Sequence, residues 1–146
     1  TAPDSVNFTL GNTVKVNGSG DDYIAYCFAE KKGYSKFSDY VGNGNADGTF
    51  VYTGFRPAWI MIKRFDGADN WNIYDDKREG YNPDNDYVKA NSTTEEKSDV
   101  PIDILSNGFK CRTADASVNG SGDEYVYTAF AEFPIVSSND VPGTAR

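Results

Sequence analysis

A block of residues stands twice in this chain. Val16-Asn17-Gly18-Ser19-Gly20-Asp21-Asp22-Tyr23 returns as Val118-Asn119-Gly120-Ser121-Gly122-Asp123-Glu124-Tyr125, and the likeness runs on to Phe28-Ala29-Glu30 and Phe130-Ala131-Glu132. Ten of the fifteen aligned positions are identical at an offset of 102 residues, which chance does not give. The preceding residues match more loosely, with Phe8-Thr9-Leu10 lying one residue out of step with Phe109-Lys110-Cys111. A period of this length is too long for a solenoid and suits tandem β domains. The simplest division makes residues 1–30 the closing hairpin of a preceding unit, packed with the next, and residues 31–146 a C-terminal β-sandwich unit. A single sandwich with two related hairpins is the alternative.

Composition says what such a unit is built from. At 146 residues the chain holds one domain or two small ones. Its hydrophobic share is only 38%, but 10 Tyr, 9 Phe and 2 Trp supply core volume, and 14 Gly and 6 Pro punctuate it often. This describes an acidic, turn-rich, aromatic-cored β protein. The net charge of −8 argues against nucleic acid as a partner, which needs a basic footprint, and against a polybasic membrane-surface protein. No stretch nears the roughly 18 apolar residues of a membrane span, so no membrane insertion is expected. No basic-then-apolar leader opens the chain. It starts at Thr1, so a processed or excised piece of something longer is expected. Histidine is absent, which removes His-based triads, acid–base pairs and metal ligands.

The elements follow from periodicity and turns. Residues 23–30 and 125–132 alternate with apolar groups on both faces, as central strands of a layered sheet do. Residues 58–63, entered through Pro57, read as a buried strand, and residues 71–75 as its hairpin partner across 66–70. Residues 102–105 and 108–112 flank Ser106-Asn107, with Asn107-Gly108 a type I′ hairpin signal. Residues 37–41 and 50–53 read as another pair around 43–48. Only residues 91–99 offer a helical turn, with Ser92 or Thr93 capping toward Glu95 or Glu96. The expected fold is all-β: a sandwich, jelly-roll or lectin-like, of about eight to ten short antiparallel strands with little or no helix.

Candidate chemistry is sparse. Asn43-x-Asn45-x-Asp47-Gly48 imitates the first half of a calcium loop, with oxygen donors at alternate positions and glycine at the turn. The twelfth position is Gly54, which has no carboxylate, so a plain hairpin loop is the reading preferred. Asp84 and Asp86, flanking Asn85, form a second acidic turn that reads the same way. No metal and no cofactor is expected. Asp21-Asp22 and Asp123-Glu124 read as solvated turn residues, and Glu30 and Glu132 stand alone. No strand carries the alternating carboxylates of a sandwich glycanase, whose two groups stand about 5 Å apart when configuration is retained. No catalytic residue is assigned and no enzyme is expected. Cys27 and Cys111 read as small buried hydrophobes, with a cross-strand disulfide as the alternative. The glycosylation patterns at Asn7, Asn17, Asn91 and Asn119 are what an Asn/Ser/Thr-rich chain contains by composition. Trp59 and Trp71 fall within strands and read as core. Tyr34, Tyr40, Tyr81 and Tyr87 lie near turns, where an aromatic ring can stack on a sugar, and are the ligand-binding candidates.

Several motifs, taken in order, carry a resemblance. They are Ser19 through Glu30, then Gly33-Tyr34-Ser35-Lys36-Phe37, Tyr40-Val41-Gly42-Asn43-Gly44 and Phe50-Val51-Tyr52-Thr53-Gly54-Phe55-Arg56-Pro57. Met61-Ile62-Lys63-Arg64, Asn70-Trp71, Leu105-Ser106-Asn107-Gly108-Phe109-Lys110 and the closing Pro142-Gly143-Thr144-Ala145-Arg146 complete the set. The chain resembles the repeated β domain near the C-terminus of phage tail-fibre and related virion structural proteins, a domain-of-unknown-function family common in marine phages. The one departure is Cys111, where an aliphatic residue is usual in that family. The resemblance implies no catalytic residues. It implies a virion location, with assembly in the bacterial host cytoplasm, and partners that are other copies of itself or neighbouring virion proteins. The leading expectation is a non-enzymatic virion surface module, the C-terminal domain of a tail fibre or related appendage, that adheres to host-surface glycan. A purely structural module, a capsid decoration or fibre spacer, is the second reading, and a glycan-cleaving enzyme the third.

Overall fold

The structure, a computed structural model, describes residues 4–78, 82 and 86–134. A single helical turn, α1 (Val14–Asn17), comes first. The strands are β1 (Ser35–Val41), β2 (Phe50–Tyr52), β3 (Pro57–Arg64), β4 (Trp71–Asp75), β5 (Val88–Lys89), β6 (Ile102–Leu105), β7 (Gly108–Cys111) and β8 (Glu124–Ala131). They form two antiparallel sheets, β1-β8-β3-β4-β5 and β2-β7-β6, packed face to face, so the all-β sandwich expectation holds. Among the described residues no helix is long and apolar enough to cross a membrane.

Local signals account for the hairpins. β3 pairs with β4, Ile60 opposite Tyr74, and β6 with β7 across the two residues Ser106-Asn107. Gly108 serves close approach there: a Cβ would stand 2.0 Å from the Val51 carbonyl oxygen of the neighbouring strand. Long-range pairing departs from the expectation. Residues 37–41 and 50–53 do not pair with each other. β1 pairs with β8, Tyr40 opposite Tyr125, and β2 pairs with β7, Val51 opposite Phe109. The 42–49 loop therefore carries the chain from one sheet to the other. The helical turn expected in 91–99 does not form either. Tyr87 and Lys97 exchange backbone hydrogen bonds of 2.8 and 2.9 Å, which closes that stretch as a loop.

The core between the sheets is rich in tyrosine. Tyr40 stacks on Tyr125 with ring centroids 5.0 Å apart, and Phe109 meets Tyr40 and Tyr127 edge-on from the opposite sheet. Each buried phenol needs a hydrogen-bond partner, and Tyr40 and Tyr74 find theirs on loops. Tyr40 Oη donates to the Val118 carbonyl at 2.7 Å, and Tyr74 Oη to the Val100 carbonyl at 2.9 Å. The core tyrosines thus pin the loops as well as fill space. Burial pushes Tyr40 well up, and Tyr125 up to about 12. Cys111 is fully buried and its thiol is likewise pushed up to about 12, whereas Cys27 is exposed, and both are free. The expectation that Cys27 is buried on a central strand is therefore corrected, and the disulfide does not form.

Asn119 is the hub that ties the sheet-crossing loop in place. It is fully buried. Its Oδ1 accepts from Asn43 N at 3.0 Å, and its Nδ2 donates to Asn43 Oδ1, the Asn45 carbonyl and the Thr113 carbonyl at 2.9, 2.9 and 2.8 Å. A buried amide with this many partners leaves no capacity unused, which fits its place at a sheet crossing.

Candidate functional site

A cleft of about 440 Å³ opens where the start of β1 faces the end of β2 and the β6–β7 turn. Its floor is held by backbone. Asn107 O accepts from Thr53 N and Gly54 N at 3.0 and 3.2 Å, and Thr53 Oγ1 donates to the Phe55 carbonyl at 2.6 Å. The turn into β1 is fixed in the same manner: Ser35, buried, accepts from Lys31 N at 3.1 Å and donates to the Ala29 carbonyl at 3.3 Å. Gly33 takes a left-handed φ of 71° to complete that turn.

The groups that project are few and chemically distinct. The Tyr52 ring is 63% exposed because β2 alternates, turning Val51 inward and Phe50 and Tyr52 outward. Lys32 is exposed and has no ion-pair partner among the described residues. Lys36 pairs with Glu30 at 2.9 Å. Behind the wall, Tyr127 Oη donates to the Tyr52 carbonyl at 3.4 Å, and burial together with the Glu30 and Asp39 charges pushes its phenol up to about 12. An aromatic face, an unpaired ammonium and an amide side chain at Asn107 suit a hydroxylated, anionic ligand. Glu30 is the one carboxylate among the residues lining this cleft, and its charge is already matched by Lys36.

The outer face of the five-stranded sheet carries a second feature, an aromatic cluster around Phe130. Tyr34, Phe37 and Trp59 lie 5.8, 5.9 and 5.7 Å from its ring, and Phe28 stacks on Phe37 at 5.8 Å. Trp59 and Trp71 both belong to this outer face, Trp71 being 38% exposed, so the reading of the two tryptophans as core is corrected. Strand parity explains it: Ile60 and Ile62 on β3, and Asn72 and Tyr74 on β4, take the inward positions.

The candidates named from sequence scatter. Tyr34 is half-exposed at the edge of the aromatic cluster and remains available. Tyr40 and Tyr87 are buried, Tyr40 against Tyr125 and Tyr87 stacked on Tyr74 with its hydroxyl on Asp99 Oδ1 at 2.9 Å, so neither is a ligand surface. Tyr81 and Asp84 lie outside the described residues, and Asp86 is half-buried. The calcium-like loop spends its oxygens on itself. Asn43 Oδ1 accepts from Asn45 N at 3.0 Å, Asn45 Oδ1 from Asp47 N at 2.9 Å, and Asp47 pairs with Lys110 at 2.5 Å. Lys110 holds the Asp47 carboxyl below the usual range. Among the described residues no three acidic or thiol groups gather into a metal site. Asn119 is buried and so is no glycan acceptor. Sequence reasoning missed Tyr52, Lys32 and Asn107, although parity with the inward Val51 marks Tyr52 as outward.

No curated protein and no solved structure matches the chain. A family model described as a domain of unknown function (DUF7483) matches residues 1–134, and the chain belongs to that family.

Proposed function

We propose that the protein is a non-enzymatic virion surface module, the C-terminal domain of a phage tail fibre or related appendage, that binds host-surface glycan through the Tyr52 cleft. The order of motifs supports the virion assignment. The observation that carries the binding assignment is the cleft itself: an exposed tyrosine ring beside an unpaired lysine, on a floor held by backbone hydrogen bonds. A preorganised wall of this kind loses little on binding, and a sugar ring stacks on the aromatic face while Lys32 meets a carboxylate or sulfate on the glycan. Hydrolysis with retention needs two carboxylates about 5 Å apart, and the cleft lining supplies Glu30 alone among the described residues.

A glycan-array screen of the folded chain tests this. Saturable binding to an anionic glycan, weakened at least about tenfold by Tyr52→Ala and made less salt-sensitive by Lys32→Ala, is the expected outcome. Silence across the array from a well-folded sample would overturn the adhesion assignment. The second reading, a purely structural spacer or decoration module, is favoured by the exposed apolar residues of the 23–30 stretch, which need a protein partner more than a sugar.

A further inference from the structure

The two copies of the repeated block build the same turn. Asn17 N donates to the Thr13 carbonyl at 2.9 Å, and Asn119 N to the Asp115 carbonyl at 2.8 Å. Gly20 and Gly122 hold left-handed φ values of 84° and 80°. Tyr23 Oη accepts from Gly18 N at 2.8 Å and donates to the Val14 carbonyl at 2.6 Å. Tyr125 Oη accepts from Gly120 N at 2.7 Å and donates to the Ala116 carbonyl at 2.6 Å. Asn17 Nδ2 reaches the Gly11 carbonyl as Asn119 Nδ2 reaches Thr113, at 3.2 and 2.8 Å.

Beyond the turn the copies part. Around the second, the 42–49 loop engages Asn119, Arg64 pairs with Asp123 at 2.8 Å, and residues 124–131 lie between β1 and β3. Around the first, no loop engages Asn17 and no arginine pairs with Asp21 among the described residues. Residues 23–30 form no strand and have no strand partner among the described residues; Phe28 packs on Phe37 and Phe130, but Ile24 and Tyr26 are 81% and 80% exposed. Their pattern is nevertheless that of β8. Tyr23, Ala25, Cys27 and Ala29 align with the inward Tyr125, Tyr127, Ala129 and Ala131, and Ile24, Tyr26 and Phe28 with the outward Val126, Thr128 and Phe130.

We propose that residues 13–30 are the closing turn and central strand of another unit of this same fold, inserted between that unit's equivalents of β1 and β3. The partner is a sheet with a one-strand gap, whose two edges offer backbone donors and acceptors to both sides of the incoming strand. It also brings a loop like 42–49 to complete Asn17 and an arginine like Arg64 for Asp21. A unit with its own β8 in place has no gap to offer, so the partner is one that leaves this position open. The inference is tested apart from the Tyr52 cleft, because its reporter is Cys27, which does not line that cleft although Glu30 of the same segment does.

Cys27 is that reporter, since it is exposed and aligns with Ala129, which is fully buried in β8. The test places residues 31–114 directly ahead of residues 13–146, so that residues 13–30 close the added unit as residues 115–132 close the existing one. A parallel chain with residues 115–132 in that position gives the reference for a closed added unit. Maleimide labelling of Cys27, located by peptide mass, should slow by a factor on the order of 10² or more relative to the 146-residue chain, as exposure then requires opening a core strand. Amides of residues 23–30 should gain hydrogen-exchange protection to match. Tyr23→Phe in the extended chain should return part of the labelling rate. Labelling of Cys27 at its original rate overturns the proposal. So does protection already present in the unextended chain and rising with its concentration, which would make a second copy of the chain the occupant.

Discussion

One block of sequence, written twice, forms a core strand at residues 124–131 and, at 23–30, a segment with no strand partner among the described residues. The turn preceding each is the same to within a few tenths of an ångström in its tyrosine clamp. The difference separates two kinds of information. A turn closed by glycine, asparagine and a tyrosine hydroxyl a few residues away is encoded locally and forms in both settings. A strand is defined by its hydrogen-bonded neighbours, and among the described residues the first copy has no strand partner, only the packing of Phe28 on Phe37 and Phe130.

Breaking the hub that only the second copy possesses should have the largest effect. Asn119→Ala leaves the Asn43 amide and the Asn45 and Thr113 carbonyls without their buried partner and should cost roughly 3 kcal/mol, against near zero for Asn17→Ala. Urea unfolding of the two variants measures the contrast, and equal losses would mean the first copy is also packed. Next comes the clamp. Tyr125→Phe should cost about 1–2 kcal/mol and Tyr23→Phe much less. The same tyrosines set an alkaline limit. Tyr125 and Tyr127 hold their protons up to about pH 12 in the folded state, but release them near 10 when unfolded. The folded state therefore binds more protons above pH 10, and stability falls as pH climbs from about 10 to 12. Tyr125→Phe should flatten that decline in a thermal-melt series. The smallest contrast is ionic: Asp123→Asn, which loses one of the two carboxylates paired with Arg64, should cost about 1 kcal/mol, while Asp21→Asn should leave the melting midpoint unchanged.

What was legible in the sequence follows the same division. The hairpins at 57–75 and 102–111 and the β8 strand were readable because their signals are adjacent turn residues and alternation. The pairing of β1 with β8 was not, since Tyr40 finds Tyr125 across more than half the chain and no local signal names its partner. Nearness to a turn misled at the aromatics. Tyr40 and Tyr87 sit beside turns yet point inward, and Trp59 and Trp71 sit within strands yet point outward. In a core whose inward positions are tyrosine, ring size and hydropathy stop marking depth. Tyr52 could have been named from its neighbour Val51, but Lys32 and Asn107 become a site only when the two sheets bring β1 and the β6–β7 turn together.

The strand order has a consequence for a chain made on the ribosome. β8 is the last strand described and lies inside its sheet, second from the edge, so β1 on one side and β3 on the other wait for it. Until residues 124–131 emerge, the nascent unit holds an open slot with apolar walls. Where such units are translated in series, an earlier strand that matches residues 125–132 at four of eight positions is already available to fill it. The substitutions between the copies, Ala25 for Tyr127 and Cys27 for Ala129, change the volume presented to the slot, and the first also removes the hydroxyl that bonds the Tyr52 carbonyl. They give each slot a means to discriminate its own strand from its neighbour's, which repeat proteins need to avoid misassembly during synthesis.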